Sequence, residues 1–269
     1  MLDFLKSQAA AYLWNRYPAL WLDYRLWRGK HIEPEYRLVP LFCRKDRVAV
    51  DVGANMGEYC HYMAKFARDV IAFEPNPDLW PHLRRLLGSG VRLEAAALSK
   101  TAGTAQFRYS ESNTGVATIE GRNDLVMLAD RRQIKTRQVE MRTLDSYNLM
   151  EVSFIKIDVE GHEEAVIEGA RETLTHNQPV LLIESENRHN LGAPRRLEAL
   201  LATQGYAGFY LKHGKLFPVD MIDEADRDAK NLSTPGKIYI YNYLYVPPAR
   251  LDLISHLRGE DIGIFVSFE

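Results

Sequence analysis

The sequence predicts an α/β fold in which a mostly parallel sheet carries helices on both faces. Three observations predict it. From residue 47 onward, short apolar runs alternate with stretches of helical periodicity. The first apolar run ends in a glycine-containing turn that leads straight into a helical stretch, the local pattern of a β-α unit. The 269 residues, 46% hydrophobic and 26% charged, suffice for a packed core without disulfide or metal staples.

Taken in chain order, residues 1–45 stand apart. Three of the four tryptophans, Trp14, Trp21 and Trp27, lie in the first tenth of the chain, interleaved with Tyr12, Tyr17 and Tyr24. Trp14, Tyr17, Trp21 and Tyr24 recur at spacings of three, four and three, and Leu13, Leu20 and Trp27 recur every seven. Together they make a wide apolar helical face, with Arg16, Arg25, Arg28 and Lys30 on much of the remainder. Pro18 starts a helical piece or kinks one, because it cannot donate inside a helix. Residues 1–11 lack the apolar stretch and cleavage site of a secretory signal, and no run approaches the length of a membrane span. Residues 1–30 thus suit packing on the main domain, contact with a second copy, or a peripheral seat in a membrane interface.

Residues 47–52 (RVAVDV) read as a buried strand and 56–66 as a helix. Residues 69–74 (DVIAFE) form a second strand, about 78–87 a helix and 91–96 a third strand. This succession implies parallel strands joined by right-handed crossovers. Residues 103–141 interrupt it: 103–109 and 139–142 look like β segments around a polar stretch carrying Arg131, Arg132, Lys135 and Arg137. That stretch, about 110–137, reads as an inserted hairpin or lid. Then come a strand at 154–158, a helix at 163–174, a strand at 180–184, a helix at 195–204, and closing strands at 208–211 and 237–246. With no repeat and no linker, the division is an aromatic-rich helical extension over 1–45 and one domain over 46–269.

The charge balance, 34 Lys and Arg against 36 Asp and Glu, excludes a generic polyanion binder. Apart from the basic stretch at 131–137 no extended basic surface suits nucleic acid. Cys43 and Cys60 stand in no CxxC or Cys/His cluster and read as buried thiols of a reducing compartment. A cytoplasmic protein is expected, peripheral on the inner face of the membrane if the aromatic helix is interfacial.

Strand one ends in Asp51-Val52-Gly53-Ala54-Asn55-Met56-Gly57. Such a turn builds a ligand crevice at the carboxyl end of a parallel sheet. The glycine spacing of a dinucleotide fingerprint is absent, and a pyrophosphate would meet the Glu58 carboxylate at the helix start. A nucleoside without phosphates, bearing a cationic amino-acid-like arm, suits the turn instead. Asp51 can accept from an ammonium, and Gly53 and Gly57 make room. Glu74-Pro75, after strand two, can accept from both ribose hydroxyls, and Pro75 ends the strand by holding its predecessor extended.

These blocks resemble the FkbM-type family of S-adenosylmethionine-dependent methyltransferases: VDVGANMGEY at 50–59, FEPNP at 73–77, AALSKTAG at 96–103, RTLDSY at 142–147, FIKIDVEGHEEAVIEGA at 154–170 and PVLLIESE at 179–186. They come in the family's order, and NYLYVP at 242–247 is similar to its ending; residues 1–45 lie outside the resemblance. The resemblance implies a single Rossmann-like class I methyltransferase domain. It implies that Asp51, Gly53, Ala54, Asn55, Gly57 and Glu74 bind S-adenosyl-L-methionine, that Ala96 and Ala97 sit near the adenine, and that Asp158 faces the transfer site.

Proton removal from a weakly acidic acceptor needs a base. Asp158, Glu160, His162, Glu184 and Glu186 are the candidates at the strand ends, with Asp158 and Glu184 leading and His189 a further one. The same carboxylates leave a divalent cation open, although no spaced His/Asp signature accompanies them. The expected reaction is O-methyl transfer to a sugar hydroxyl of a cell-surface polysaccharide or lipid-linked glycan. The substrate class comes largely from the resemblance. The alternatives are methylation of another natural product or a lipid, or a non-catalytic membrane-tethered nucleoside-binding adaptor.

Overall fold

A computed structural model describes residues 14, 16–28, 33–110, 117–121 and 134–257. Residues 1–13, Lys30, Arg131 and Arg132, on which part of the extension and lid expectations rest, lie outside the described residues.

Eight strands form the main sheet: β1 (Val48–Val52), β2 (Asp69–Phe73), β3 (Val91–Glu94), β8 (Val152–Ile157), β9 (Val180–Glu184), β10 (Ala207–Lys212), β11 (Lys215–Pro218) and β12 (Asn242–Val246). Their order is β11-β10-β12-β9-β8-β1-β2-β3. The strands from β9 through β8, β1 and β2 to β3 pair in parallel, while β12 runs antiparallel to both β9 and β10. This is the mostly parallel sheet that the alternating runs predict. Every residue of β1 and β8 is buried, as expected of central strands covered on both faces.

Helices α1 (Pro18–Arg28), α2 (Val39–Phe42), α3 (Glu58–Met63) and α4 (Trp80–Leu87) cover one face, where Leu22, Phe42, Met63 and Leu83 share a core with Ala49, Phe154 and Leu182. Helices α5 (Glu163–Glu168), α6 (Arg171–Asn177) and α7 (Ala193–Ala202) cover the other, packing Ile167, Leu174 and Leu197 on Val50, Ile155 and Ile183. Alternate residues of each strand thus serve alternate cores. Leu22, Leu26, Tyr36, Leu38, Val39, Phe42 and Cys43 belong to the first core, so these parts of the extension before residue 46 pack with the domain.

The insertion is a second, four-stranded sheet in the order β4-β7-β5-β6, from β4 (Ala97–Leu98), β5 (Gly103–Ser110), β6 (Ala117–Thr118) and β7 (Ile134–Arg142). β5 and β7 pair antiparallel from Gly103↔Met141 to Ser110↔Ile134, which makes the expected hairpin longer on its second strand. Two other expectations shift. The helix over 163–174 is broken into α5 and α6, and only Asn242–Val246 of the run 237–246 is strand.

Candidate active site

The chain runs outward from β1 through β2 to β3, then returns to β8 on the other side of β1. A parallel sheet opens a crevice at such a reversal, at the carboxyl ends of its strands. There a cleft enclosing about 680 Å³, its open mouth included, is bounded by the ends of β1, β2 and β8 and roofed by the small sheet.

Gly53 forms the floor with φ +84°, and a Cβ placed on it would lie 1.8 Å from the Asp158 carbonyl oxygen, so no side chain fits between the ends of β1 and β8. Glu74 faces the cleft with both oxygens engaged: Oε2 accepts from the Asn55 amide at 2.8 Å and Oε1 from the Asn76 amide at 2.7 Å. Burial pushes its carboxyl up to about 7. Pro75, Ala96 and Ala97 line the same wall, joined by Leu98, Phe107 and Ile119 to make it largely apolar.

The structure therefore brings Gly53, Asn55, Glu74, Pro75, Ala96, Ala97, Asp158 and His162 to one cleft. It keeps Asp51, Ala54, Gly57 and Glu184 off the lining. Asp51 points under the floor and accepts from the Cys60 thiol at 2.8 Å; burial pushes it up to about 6. Gly57 packs against Leu83 and Leu86 of α4. Glu184 stands beside the cleft, and oxygens of Asp158, Glu160 and Glu184 lie within 4.8 Å of one another.

Next to these carboxylates Lys156 is buried, its Nζ 3.7 Å from Asp158 Oδ2 and over the Tyr59 ring. Burial works against its charge, but Asp158 and Glu184 outweigh that and hold the ammonium above its ordinary pKa. Glu184, desolvated and facing Asp158, is pushed well above the usual carboxylate range. A cation site could draw on either Asp158, Glu160 and Glu184 or Glu160, Glu186 and His189. Lys156 already supplies positive charge to the first set, and Arg188 bonds Glu186 of the second at 2.5 Å.

His162 is less free than its place in the motif suggests. Its Nε2 is 2.9 Å from Ser99 Oγ and its Nδ1 3.2 Å from Glu120, so both ring nitrogens have partners, and burial keeps its pKa low. Glu160 lines the cleft with φ +55°, a strained conformation for a side-chain-bearing residue. The lid strand β6 secures it, with Thr118 Oγ1 donating to the Glu160 carbonyl at 2.9 Å. Behind it His189 Nδ1 bonds Glu160 Oε2 at 2.6 Å, an ion pair that raises the histidine's pKa against its burial.

A family model for the methyltransferase FkbM domain matches residues 51–207, more than half of the chain. The chain belongs to the FkbM methyltransferase family. As a family member it is an S-adenosylmethionine-dependent methyltransferase. Methyltransferase sdnD of Sordaria araneosa is 30% identical to this FkbM-family chain over 189 residues, 58% of this chain and 72% of that protein. Hexuronic acid methyltransferase AglP of Haloferax volcanii is 27% identical over 159 residues, 55% of this chain and 62% of that one. Among solved structures, methyltransferase FkbM from Methylobacillus flagellatus KT shares 15% identity at a TM-score of 0.49, over 79% of this chain and 50% of that one.

Two participants escaped sequence reasoning. Lys156 stands between Ile155 and Ile157 in a buried strand, and a lysine in such a run is itself a sign of a buried ion pair. Thr118 lies in a polar stretch without periodicity, and nothing local marks it as the clasp between lid and strand end.

Proposed function

We propose that this methyltransferase modifies a sugar hydroxyl of a cell-surface polysaccharide or lipid-linked glycan. The observation that carries the reading is the carboxylate row Asp158, Glu160 and Glu184 at the ends of β8 and β9, with Asp158 and Glu160 on the wall of the cleft. The donor set suits S-adenosylmethionine. Each Glu74 oxygen spends one lone pair on an amide and keeps another for a ribose hydroxyl. Ala96, Ala97, Leu98 and Phe107 offer an apolar slot for a base, and Glu160 offers a carboxyl group for a cationic arm. When bound, S-adenosylmethionine supplies an electrophilic methyl group on a positively charged sulfur.

A sugar hydroxyl is a poor nucleophile until its proton leaves, and a positioned carboxylate contributes roughly 10²–10⁴-fold by taking it. Asp158 is the residue for this step. It faces the cleft, with the Lys156 ammonium 3.7 Å from its Oδ2. Glu184, desolvated and facing Asp158, resists ionising, which limits the negative charge gathered beside Asp158. The small sheet shields the cleft from water through Phe107, Ala117, Thr118 and Ile119. Arg108, Lys135 and Arg137 lie on its strands, and Arg137 pairs with Asp78 next to the cleft-lining Asn76 and Leu79. Cations there suit an acidic sugar, in keeping with the hexuronic acid named for the AglP relative.

Asp158→Asn is expected to lower kcat by about 10²–10⁴-fold while S-adenosylmethionine affinity stays within a few-fold by calorimetry. An unchanged kcat removes Asp158 as the base. Mass spectrometry of surface glycans from a strain lacking the gene is expected to show sugars lighter by one methyl group. Identical glycans with and without the gene overturn the sugar assignment.

A further inference from the structure

Helix α1 packs the face opposite to the one its aromatic residues suggest. Pro18, Leu22 and Leu26 are buried, and Asp23, the one acid of the helix, accepts from His61 at 2.7 Å and from Lys65. Tyr17, Leu20, Tyr24 and Trp27, spaced three, four and three apart, form one outward stripe, exposed by 46%, 65%, 46% and 67%. They are half of the eight large apolar side chains exposed among the described residues. Arg16 and Arg28, both exposed, sit over the Tyr17 and Tyr24 rings at 5.8 and 5.9 Å.

Two features choose the occupant of this stripe. An 11-residue helix is about 16 Å long and 10 Å wide, a footprint on the order of 200 Å². A stable dimer needs about 800 Å² per partner. The stripe is also three-quarters Tyr and Trp, the side chains that favour a wet, polar interface over a dry core, and its only charges are cationic. We propose that the outward face of α1 rests in the headgroup layer of an anionic phospholipid surface. Aromatic rings enter at the glycerol level and Arg16 and Arg28 reach lipid phosphates. Arg25 Nη1 bonds Glu58 Oε1 at 2.5 Å, at the start of α3, which places the seated helix beside the sheet edge on which the cleft opens. The seat does not depend on the acceptor being a glycan.

The full chain is mixed with vesicles of phosphatidylcholine alone or with one third phosphatidylglycerol, and sedimented. Binding is expected with the anionic vesicles, weakened by salt and about tenfold or more weaker for the double substitution Leu20→Asp and Trp27→Asp. A second variant, Arg16→Glu with Arg28→Glu, keeps the apolar stripe and is expected to lose the preference for anionic vesicles. Both variants change exposed positions only, and an unchanged thermal midpoint verifies their fold. Three outcomes overturn the proposal: no sedimentation of the wild type, equal binding to neutral vesicles, or a wild-type dimer by light scattering that the first variant converts to monomer without any vesicle binding.

Discussion

Glu74 carries its charge with difficulty, because burial pushes its carboxyl up to about 7 even though two amides donate to it. Hydroxyl donors favour the ionised form. S-adenosylmethionine affinity is therefore expected to be flat above about pH 7 and to fall toward tenfold per pH unit below it. Glu74→Gln should bind more weakly and lose that dependence. Titration calorimetry across the range tests both, and an unchanged affinity for the variant removes Glu74 from the site. Asp51 ends the neighbouring strand with the same chemistry but turns under the floor toward Cys60. An acidic residue at each strand end was legible in the sequence. Which of the two meets the ligand depends on depth along the sheet: Asp51 stands within β1, opposite Ala72 and bonded to Cys60 of α3, whereas Glu74 lies one residue beyond β2, on the wall of the cleft.

The break between α5 and α6 is decided by a neighbour. A Cβ on Gly169 would lie 2.1 Å from the Ser99 carbonyl oxygen, so the chain passes against β4's end only as glycine. The new helix start is capped from elsewhere in the chain: Asp145 accepts from the Glu172 and Thr173 amides at 3.0 and 2.8 Å and from Thr173 Oγ1 at 2.8 Å. Asp145→Ala is expected to cost about 1–2 kcal/mol in urea unfolding. A change below about 0.3 kcal/mol would show that water replaces the cap without loss. Periodicity alone reads residues 163–174 as one helix, because both pieces present apolar residues to the same core.

At the scale of the whole molecule, burial loads the fold with carboxyl groups that resist ionising. Glu35, Glu74 and Glu163 are pushed up to about 7 and Asp51 to about 6, in each case chiefly by desolvation. The folded state then holds more protons than the unfolded chain between about pH 4.5 and 7. Stability from these groups is full below the unfolded pKa and is lost as pH rises through the folded one. The thermal midpoint is expected to fall from about pH 5 to about pH 8. Glu163, buried with its Oε1 accepting from the Gly161 amide at 2.8 Å, is a clean probe. Glu163→Gln should flatten that fall, and a slope equal to the wild type would remove Glu163 from the set.

The sequence by itself determined the α/β class, the succession of β1, β2, β3, β8 and β9 along the chain, the glycine turn and the family, because each is written in local periodicity or contiguous motifs. Tertiary structure decided which strand-end acids meet in the cleft, that His162 is tied to Ser99 and Glu120, and that Lys156 neutralises Asp158. It also decided which face of α1 turns outward. Those choices depend on which residues distant in the chain arrive beside a given side chain. For α1, Leu22 and Leu26 fit the core shared with Phe42 and Met63, and the aromatic stripe is left to the outside.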